Sequence, residues 1–296
     1  MAADLMDGKA IAEAIRAELK SEVDSLRERG VVPGLGVILV GDNPASCSYV
    51  TAKERACESI GIYSDDNRLP ADTSEADLLK RVEAMNQDPQ IDGILVQLPL
   101  PKHMDESKIL LAIDPTKDVD GFHPMNVGKM MIGEETFFPC TPHGVVQMLM
   151  RSGVETSGKH VVVVGRSNIV GKPVANMLLQ KKAGANATVT LCHTGTEDLA
   201  GFTQQADILI VASGWPNTVT ESMVKPGAVV VDVGVNRVED ATKKSGYRLV
   251  GDVDFEGVSR VASKLTPVPG GVGPMTITML LYNTVESAKA RLMEEG

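Results

Sequence analysis

The chain has 296 residues, 43% of them hydrophobic and 23% charged, with a formal net charge of −10 at pH 7. That length accommodates two domains of ordinary size, and the acidic balance argues against a broad basic face for nucleic acid or an anionic membrane. No apolar run reaches the length of a membrane span and the N-terminus lacks a signal-peptide core, so a soluble, cytoplasmic protein without membrane or nucleic-acid partners is expected.

From the N-terminus, Ile11, Ile15, Leu19, Val23 and Leu26 form one apolar stripe at helical spacing over residues 8–29, ended by Gly30. Leu35 to Val40 is a β-branched run closed by Gly41-Asp42-Asn43-Pro44, which predicts a strand and then a helix over about 45–60. Leu78 to Met85 is helical again, and Ile91 to Val96 is a second strand ending in Gln97-Leu98-Pro99-Leu100-Pro101. Strands alternating with helices imply a parallel α/β sheet. Residues 113–144 are rich in Pro, Gly and Asp with little periodicity and read as a functional loop region. A helical stretch over Val145 to Met150 then leads to a second α/β unit. Its strands are expected at 160–164, 187–192, 207–212, 228–233 and 248–251. A last helix, following the Pro267–Pro274 segment, should run to about Leu292 and return to the first domain. Cys47, Cys57, Cys140 and Cys192 are scattered without a C-x-x-C pair and the five histidines do not cluster, so reduced thiols and no metal site are expected.

Val161-Val162-Val163-Val164-Gly165-Arg166-Ser167-Asn168-Ile169-Val170-Gly171-Lys172-Pro173 is the most informative stretch. Four valines read as a strand buried on both faces, and the glycine turn and helix start that follow are the arrangement that aims backbone N–H groups at a phosphate. The spacing is not the usual G-x-G-x-x-G, because Ser167 stands where the second glycine would be. A P-loop is disfavoured, since five residues separate the glycines and Pro173 follows Lys172. NAD-binding folds place an acid at the end of the next strand, whereas this chain reads Leu191-Cys192-His193-Thr194-Gly195. With Arg166 in the turn to meet an extra phosphate, NADP is favoured over NAD; a surface arginine in an ordinary tight turn is the alternative.

In the first half, Tyr49 and Lys53 share a helix face one turn apart, which equally describes a solvent-facing pair. Gln97 stands at a strand's C-terminal end, where open α/β sheets bind ligands, or is a structural hydrogen bonder. Lys117-Asp118-Val119-Asp120-Gly121-Phe122-His123-Pro124 puts two acids among turn formers, and turn capping would occupy at least one of them.

Taken together, Tyr49-Val50-x-x-Lys53, Gln97-Leu98-Pro99-Leu100-Pro101, Lys117-Asp118-Val119-Asp120-Gly121-Phe122, Gly165-Arg166-Ser167-x-Ile169-Val170-Gly171-x-Pro173 and Pro267-Val268-Pro269-Gly270-Gly271-Val272-Gly273-Pro274-Met275-Thr276 occur in this order. The pattern resembles the bifunctional methylenetetrahydrofolate dehydrogenase/methenyltetrahydrofolate cyclohydrolase family, from about Asp7 to the last helix. A shikimate-dehydrogenase-like enzyme, also with its substrate domain first, would not explain Gln97–Pro101 or Pro267–Pro274. The resemblance implies two α/β domains with an active-site cleft between them. Residues 1–150, completed by the helix 274–296, would bind folate, and 151–273 would form a Rossmann-like, doubly wound NADP domain. It implies oxidation of 5,10-methylenetetrahydrofolate with NADP⁺ and hydrolysis of the methenyl product to 10-formyltetrahydrofolate, in one-carbon metabolism and purine biosynthesis, by a homodimer. Lys53 matches the family's catalytic lysine, Gln97 the residue that positions it, and Tyr49 the ring that stacks on folate. Asp120 matches the acid that pairs with the pterin. Leu98, Leu100, Pro269, Gly270 and Gly271 would complete the folate site; Gly165, Arg166, Ser167, Ile169, Gly171, His193 and Thr194 would contact NADP. Arg55, where many relatives carry lysine, departs from the pattern outside this set.

Overall fold

The computed structural model of the chain describes residues 2–243 and 246–294. In chain order the first half holds β1 (Asp4–Leu5), α1 (Gly8–Glu28), β2 (Gly34–Val40), α2 (Pro44–Ile60), β3 (Tyr63–Leu69), α3 (Glu75–Gln87), β4 (Gly93–Val96), α4 (Glu106–Leu111), α5 (Pro124–Ile132) and α6 (Cys140–Arg151). The second half holds β5 (His160–Val164), α7 (Gly171–Leu179), β6 (Thr188–Cys192), α8 (Leu199–Thr203), β7 (Ile208–Val211), β8 (Val229–Asp232), β9 (Asn236–Glu239), β10 (Tyr247–Val250), α9 (Phe255–Val258), β11 (Lys264–Leu265) and α10 (Val272–Glu294). Two compact units result, one of residues 14–140 and 277 onward, the other of the residues up to Glu13 and 141–276. These limits differ from the expected 150/151 and 273/274 because the chain changes unit inside or at the start of helices α1, α6 and α10. Continuous helices carry no loop composition for a sequence reading to detect.

The unit of residues 14–140 and 277 onward is built on a three-stranded parallel sheet of order β3-β2-β4. All seven residues of β2 are buried, as a central strand covered on both faces requires. Ile15, Leu19, Val23 and Leu26 of α1 are buried, in keeping with its stripe. A core of Ile38, Leu78, Val82, Met85, Ile94 and Ile109 joins the sheet to α3 and α4; full burial of each such side chain contributes about 1.5–3 kcal/mol. The sequence reading missed β3, which reads Tyr-Ser-Asp-Asp-Asn-Arg-Leu and has no buried face to give it a period. It also treated 113–144 as loop, whereas α5 forms there. His123 caps its N-terminus by accepting from the Met125 N–H, Pro124 opens it, and Gly133 ends it in a left-handed turn. Exposed Met125, Met131 and Ile132 blur its apolar period.

Within this unit α10 is fastened by polar side chains. Asn283 Nδ2 donates to the Val119 and Phe138 carbonyls at 2.8 and 3.0 Å, and Ser287 Oγ donates to the Asp92 carbonyl at 2.7 Å. Arg291 Nε donates to the buried Asp92 carboxylate at 2.7 Å. Because Asp92 also accepts from the Gly34 N–H at 2.9 Å, its charge is doubly compensated.

The other unit is a six-stranded sheet of order β1-β11-β8-β7-β5-β6, parallel throughout. From β5 the chain steps to β6 on one side and returns to β7 on the other, the doubly wound pattern that opens a ligand crevice at the C-terminal strand ends. Residues 247–250 do not extend this sheet as expected. They pair antiparallel with β9 in a separate two-stranded ribbon, none of whose residues is fully buried. Among the described residues no helix is long and apolar enough to cross a membrane, and all four cysteines are unpaired.

Candidate active site

Lys53 lies on α2 and is only 9% exposed, which sets aside the solvent-facing alternative. Its Nζ donates to Gln97 Oε1 at 3.0 Å. Gln97 follows β4, and its own amide Nε2 donates to the Leu98 carbonyl at 2.8 Å, so the side chain is held from both ends. Burial pushes the Lys53 amine below its ordinary value, while Asp120, Cys140 and Cys57 pull it back up. Burial likewise pushes Asp120 up, against the attraction of Lys53 and a hydrogen bond with Cys140. Both members of the pair are thus moved toward their neutral forms, the condition for a lysine to take and return a proton near neutrality.

The two acids of the 117–122 segment have separate jobs. Asp118 accepts from the Phe122 and His123 N–H groups at 3.3 and 2.7 Å and from Asn126 Nδ2 at 2.9 Å, so it is the turn-capping one. Its burial raises its pKa to about 6. Asp120 is left to face Lys53. Cys140, which the sequence reading did not single out, belongs to the same cluster: it is buried, its Sγ donates to the Val119 carbonyl at 3.4 Å, and burial followed by Asp120 drives its thiol well above the usual range. Its sole sequence signal was a proline-preceded cysteine closing an apolar Phe137-Phe138 pair.

Tyr49, one turn before Lys53, is 52% exposed, an uncovered ring beside a buried amine. Leu98 is half-buried, whereas Leu100 is packed into the core and gives its N–H to Glu106 at 3.0 Å. Lys53, Gln97, Tyr49, Asp120, Leu98 and Leu100 all belong to one unit. Pro269, Gly270 and Gly271 belong to the other, together with all the expected nucleotide residues. There the bareness of Gly271 has a packing cause: a Cβ on it would come within 2.5 Å of the Pro267 carbonyl oxygen, and one on Gly8 within 1.8 Å of the Gly271 carbonyl oxygen, while Lys9 N–H donates to the Gly270 carbonyl at 3.1 Å.

At the C-terminal end of β5, Gly165 adopts φ +126°, and a Cβ there would meet the Ala212 carbonyl oxygen at 2.1 Å. A Cβ on Gly171 would meet the Gly165 carbonyl oxygen at 2.0 Å. The turn therefore closes only with glycine at both positions. Ser167 Oγ accepts from the Val170 and Gly171 N–H groups at 3.1 and 3.3 Å and shapes the start of α7. Arg166, Ser167 and Ile169 are exposed on this turn. Gly165 N–H donates to the Cys192 carbonyl at 2.9 Å, which sets the end of β6 beside it. Residues 193–196 form a small turn there, with His193 N–H on Thr196 Oγ1 at 2.9 Å and Gly195 N–H on His193 Nδ1 at 3.0 Å. Thr194 is exposed on it. Asp198, a nearby acid, is committed to capping α8 through Gly201 N–H. A cradle closed to side chains, an exposed arginine and no acid in the β6-end turn fit a dinucleotide with an extra phosphate. Among the described residues no group of acids, histidines or cysteines is arranged to hold a metal.

A doubly wound nucleotide unit in one chain with a second unit that sets a buried lysine against a half-buried glutamine and carboxylate defines a dinucleotide-dependent α/β enzyme. Comparison with known proteins gives the particular family. Residues 6–120 match the tetrahydrofolate dehydrogenase/cyclohydrolase catalytic domain, and residues 139–292 match that family's NAD(P)-binding domain. The bifunctional protein FolD of Syntrophus aciditrophicus is 61% identical over 289 residues, covering 98% of each chain. The structure of the bifunctional FolD methylenetetrahydrofolate dehydrogenase/cyclohydrolase of Campylobacter jejuni is 51% identical, with a TM-score of 0.92 over 98% of this chain and 100% of that one. That of the Trypanosoma brucei enzyme, complexed with NADP cofactor and inhibitor, is 42% identical, with a TM-score of 0.93 over 99% of both chains. The chain belongs to the tetrahydrofolate dehydrogenase/cyclohydrolase family.

Proposed function

We propose that the chain carries out both reactions of its family in sequence. 5,10-Methylenetetrahydrofolate is oxidised to the methenyl cation, and the cation is hydrolysed to 10-formyltetrahydrofolate. The observation that carries this reading is the buried Lys53 amine, lowered in pKa and held at 3.0 Å by Gln97 with Asp120 facing it. NADP⁺, when bound, supplies the hydride acceptor. Gly165, Arg166, Ser167, Ile169, Gly171, His193 and Thr194 would hold it, with Arg166 gripping the 2′-phosphate.

In the hydrolytic step Lys53, as the free amine, takes a proton from the water that adds to the cationic carbon. It returns that proton to N5 as the C–N5 bond breaks, then takes the hydroxyl proton as the formyl carbonyl forms, so one proton leaves to solvent overall. The cationic substrate helps to keep the amine neutral until the water adds. Gln97 fixes the Nζ lone pair, Tyr49 stacks on the folate rings, and Asp120 accepts the paired N–H hydrogens of the pterin. Leu98, Leu100, Pro269, Gly270 and Gly271 are assigned to the remainder of the folate site. A homodimer in the cytoplasm belongs to the same reading, supported by the family and by the unpaired cysteines.

Lys53→Met is the test. General-base contributions of about 10²–10⁴ predict a loss of that size in methenyl hydrolysis. Hydrolysis within threefold of the parent protein's would remove Lys53 from the mechanism.

A further inference from the structure

The structure carries an aromatic side chain at the nucleotide crevice that neither the motifs nor the comparisons assign. The crevice of a doubly wound sheet opens where consecutive crossovers leave in opposite directions. Here that point lies between β5 and β7, so the turn 165–170 and the loop 212–218 are its two lips. They touch: Ala212 N–H donates to the Val164 carbonyl at 2.8 Å, and it is the Ala212 carbonyl that forbids a Cβ on Gly165.

Trp215 sits at the tip of the second lip and is 71% exposed, more than any other aromatic residue among those described as exposed. A tryptophan is large and ordinarily buried, so one left open at a crevice marks a place where something covers it. The loop beneath it is rigid. The buried Asp252 carboxylate accepts from Ser213 N–H, Ser213 Oγ and Gly214 N–H at 2.7, 3.0 and 2.8 Å. Thr218 Oγ1 donates to the Trp215 carbonyl at 2.8 Å, and Ser213 Oγ and Thr218 Oγ1 are hydrogen-bonded at 2.7 Å. Gly214 at φ +76° and Asn217 at φ +54° set the bend on either side. A side chain displayed on so fixed a turn is preorganised for contact, with little ordering left to do on binding.

We propose that Trp215 packs against the nicotinamide half of the bound dinucleotide and positions it. This rests on the nucleotide reading given above. The side of the crevice decides which half: Arg166 and the β6-end turn take the 2′-phosphate of the adenosine half, and Trp215 stands on the β7 side, across β5 from β6.

Trp215 is the chain's one tryptophan, so its emission reports on it alone. Titration of the full protein with NADP⁺ should change that emission with the midpoint found by equilibrium dialysis. Adenosine 2′,5′-bisphosphate, which supplies the adenine half, should bind and leave emission unchanged. NADP⁺ bound by dialysis without an emission change overturns the proposal and leaves the nucleotide assignment standing, as does an equal change with the bisphosphate. Absence of NADP⁺ binding by dialysis overturns the nucleotide assignment, and the proposal with it. Trp215→Gln, on an exposed turn where folding is not at stake, should weaken NADP⁺ binding about tenfold, as loss of one aromatic stack does, and the bisphosphate less than twofold. Equal weakening of both, or of neither, also overturns it.

Discussion

Replacing Gln97 with leucine keeps nearly the same volume and removes the side-chain oxygen that accepts from the Lys53 amine. The bond lost is 3.0 Å long and partly buried, and its acceptor is itself fixed by the 2.8 Å bond from Nε2 to the Leu98 carbonyl. Hydrogen bonds to charged groups contribute about 1.5–3 kcal/mol net, and this one is strongest when Lys53 has just become an ammonium ion. The hydrolytic transition state, in which that charge develops, should therefore rise by a similar amount, for a fall of roughly 10- to 150-fold in rate. Loss of the acceptor also pushes the Lys53 pKa further down, so the acidic limb of the rate–pH profile should move to lower pH as the plateau falls. The assay is hydrolysis of methenyltetrahydrofolate, supplied directly, from acid to mildly alkaline pH and corrected for the uncatalysed rate. A plateau within twofold of the parent protein's, with the limb unmoved, would refute the role given to Gln97.

Two other perturbations bear on the nucleotide unit. Arg166→Ala should raise the KM for NADP⁺ by about 10- to 150-fold, the worth of one charge-assisted phosphate contact, and that for NAD⁺ by less than about twofold; equal effects on both would sink the 2′-phosphate role. Asp232 accepts from the Gly234, Asp252 and Val253 N–H groups, yet burial outweighs these bonds and raises its pKa to about 6. A folded-state pKa above the unfolded value means that the folded protein binds more protons in that window. Stability from Asp232 should therefore fall as pH rises from about 4 to about 6, by roughly 3 kcal/mol for a shift of about two pH units. The stability of the parent protein relative to Asp232→Asn should decline by that amount across the window in chemical denaturation, and a gap constant with pH would contradict the burial of that charge.

What the sequence made legible was whatever repeats with a period or demands a particular residue. The buried valines of β5, the stripe of α1 and the Gly165–Gly171 turn all announce themselves, because a two-sided strand, an amphipathic helix and a backbone close approach each restrict composition. The polar edge strand β3 and the methionine-rich α5 were illegible for the opposite reason: an edge needs no apolar face, and an exposed apolar helix hides its period. Of the Lys53, Gln97 and Asp120 set, the motifs supplied the members but not their burial, and burial is what makes the amine useful. Which of Asp118 and Asp120 serves the turn was undecidable from spacing, since only the fold shows three donors converging on Asp118. Cys140 offered only the short Phe-Phe-Pro context before it and Trp215 no pattern at all, and their places follow from tertiary structure.

The most direct test of the account is to supply the protein with 5,10-methylenetetrahydrofolate and NADP⁺ and to identify both products. NADPH together with 10-formyltetrahydrofolate, appearing faster than methenyltetrahydrofolate hydrolyses unaided, is the predicted result. NADPH accompanied by methenyltetrahydrofolate that decays only at its uncatalysed rate would contradict the role of Lys53, and absence of NADPH would contradict the dehydrogenase assignment itself.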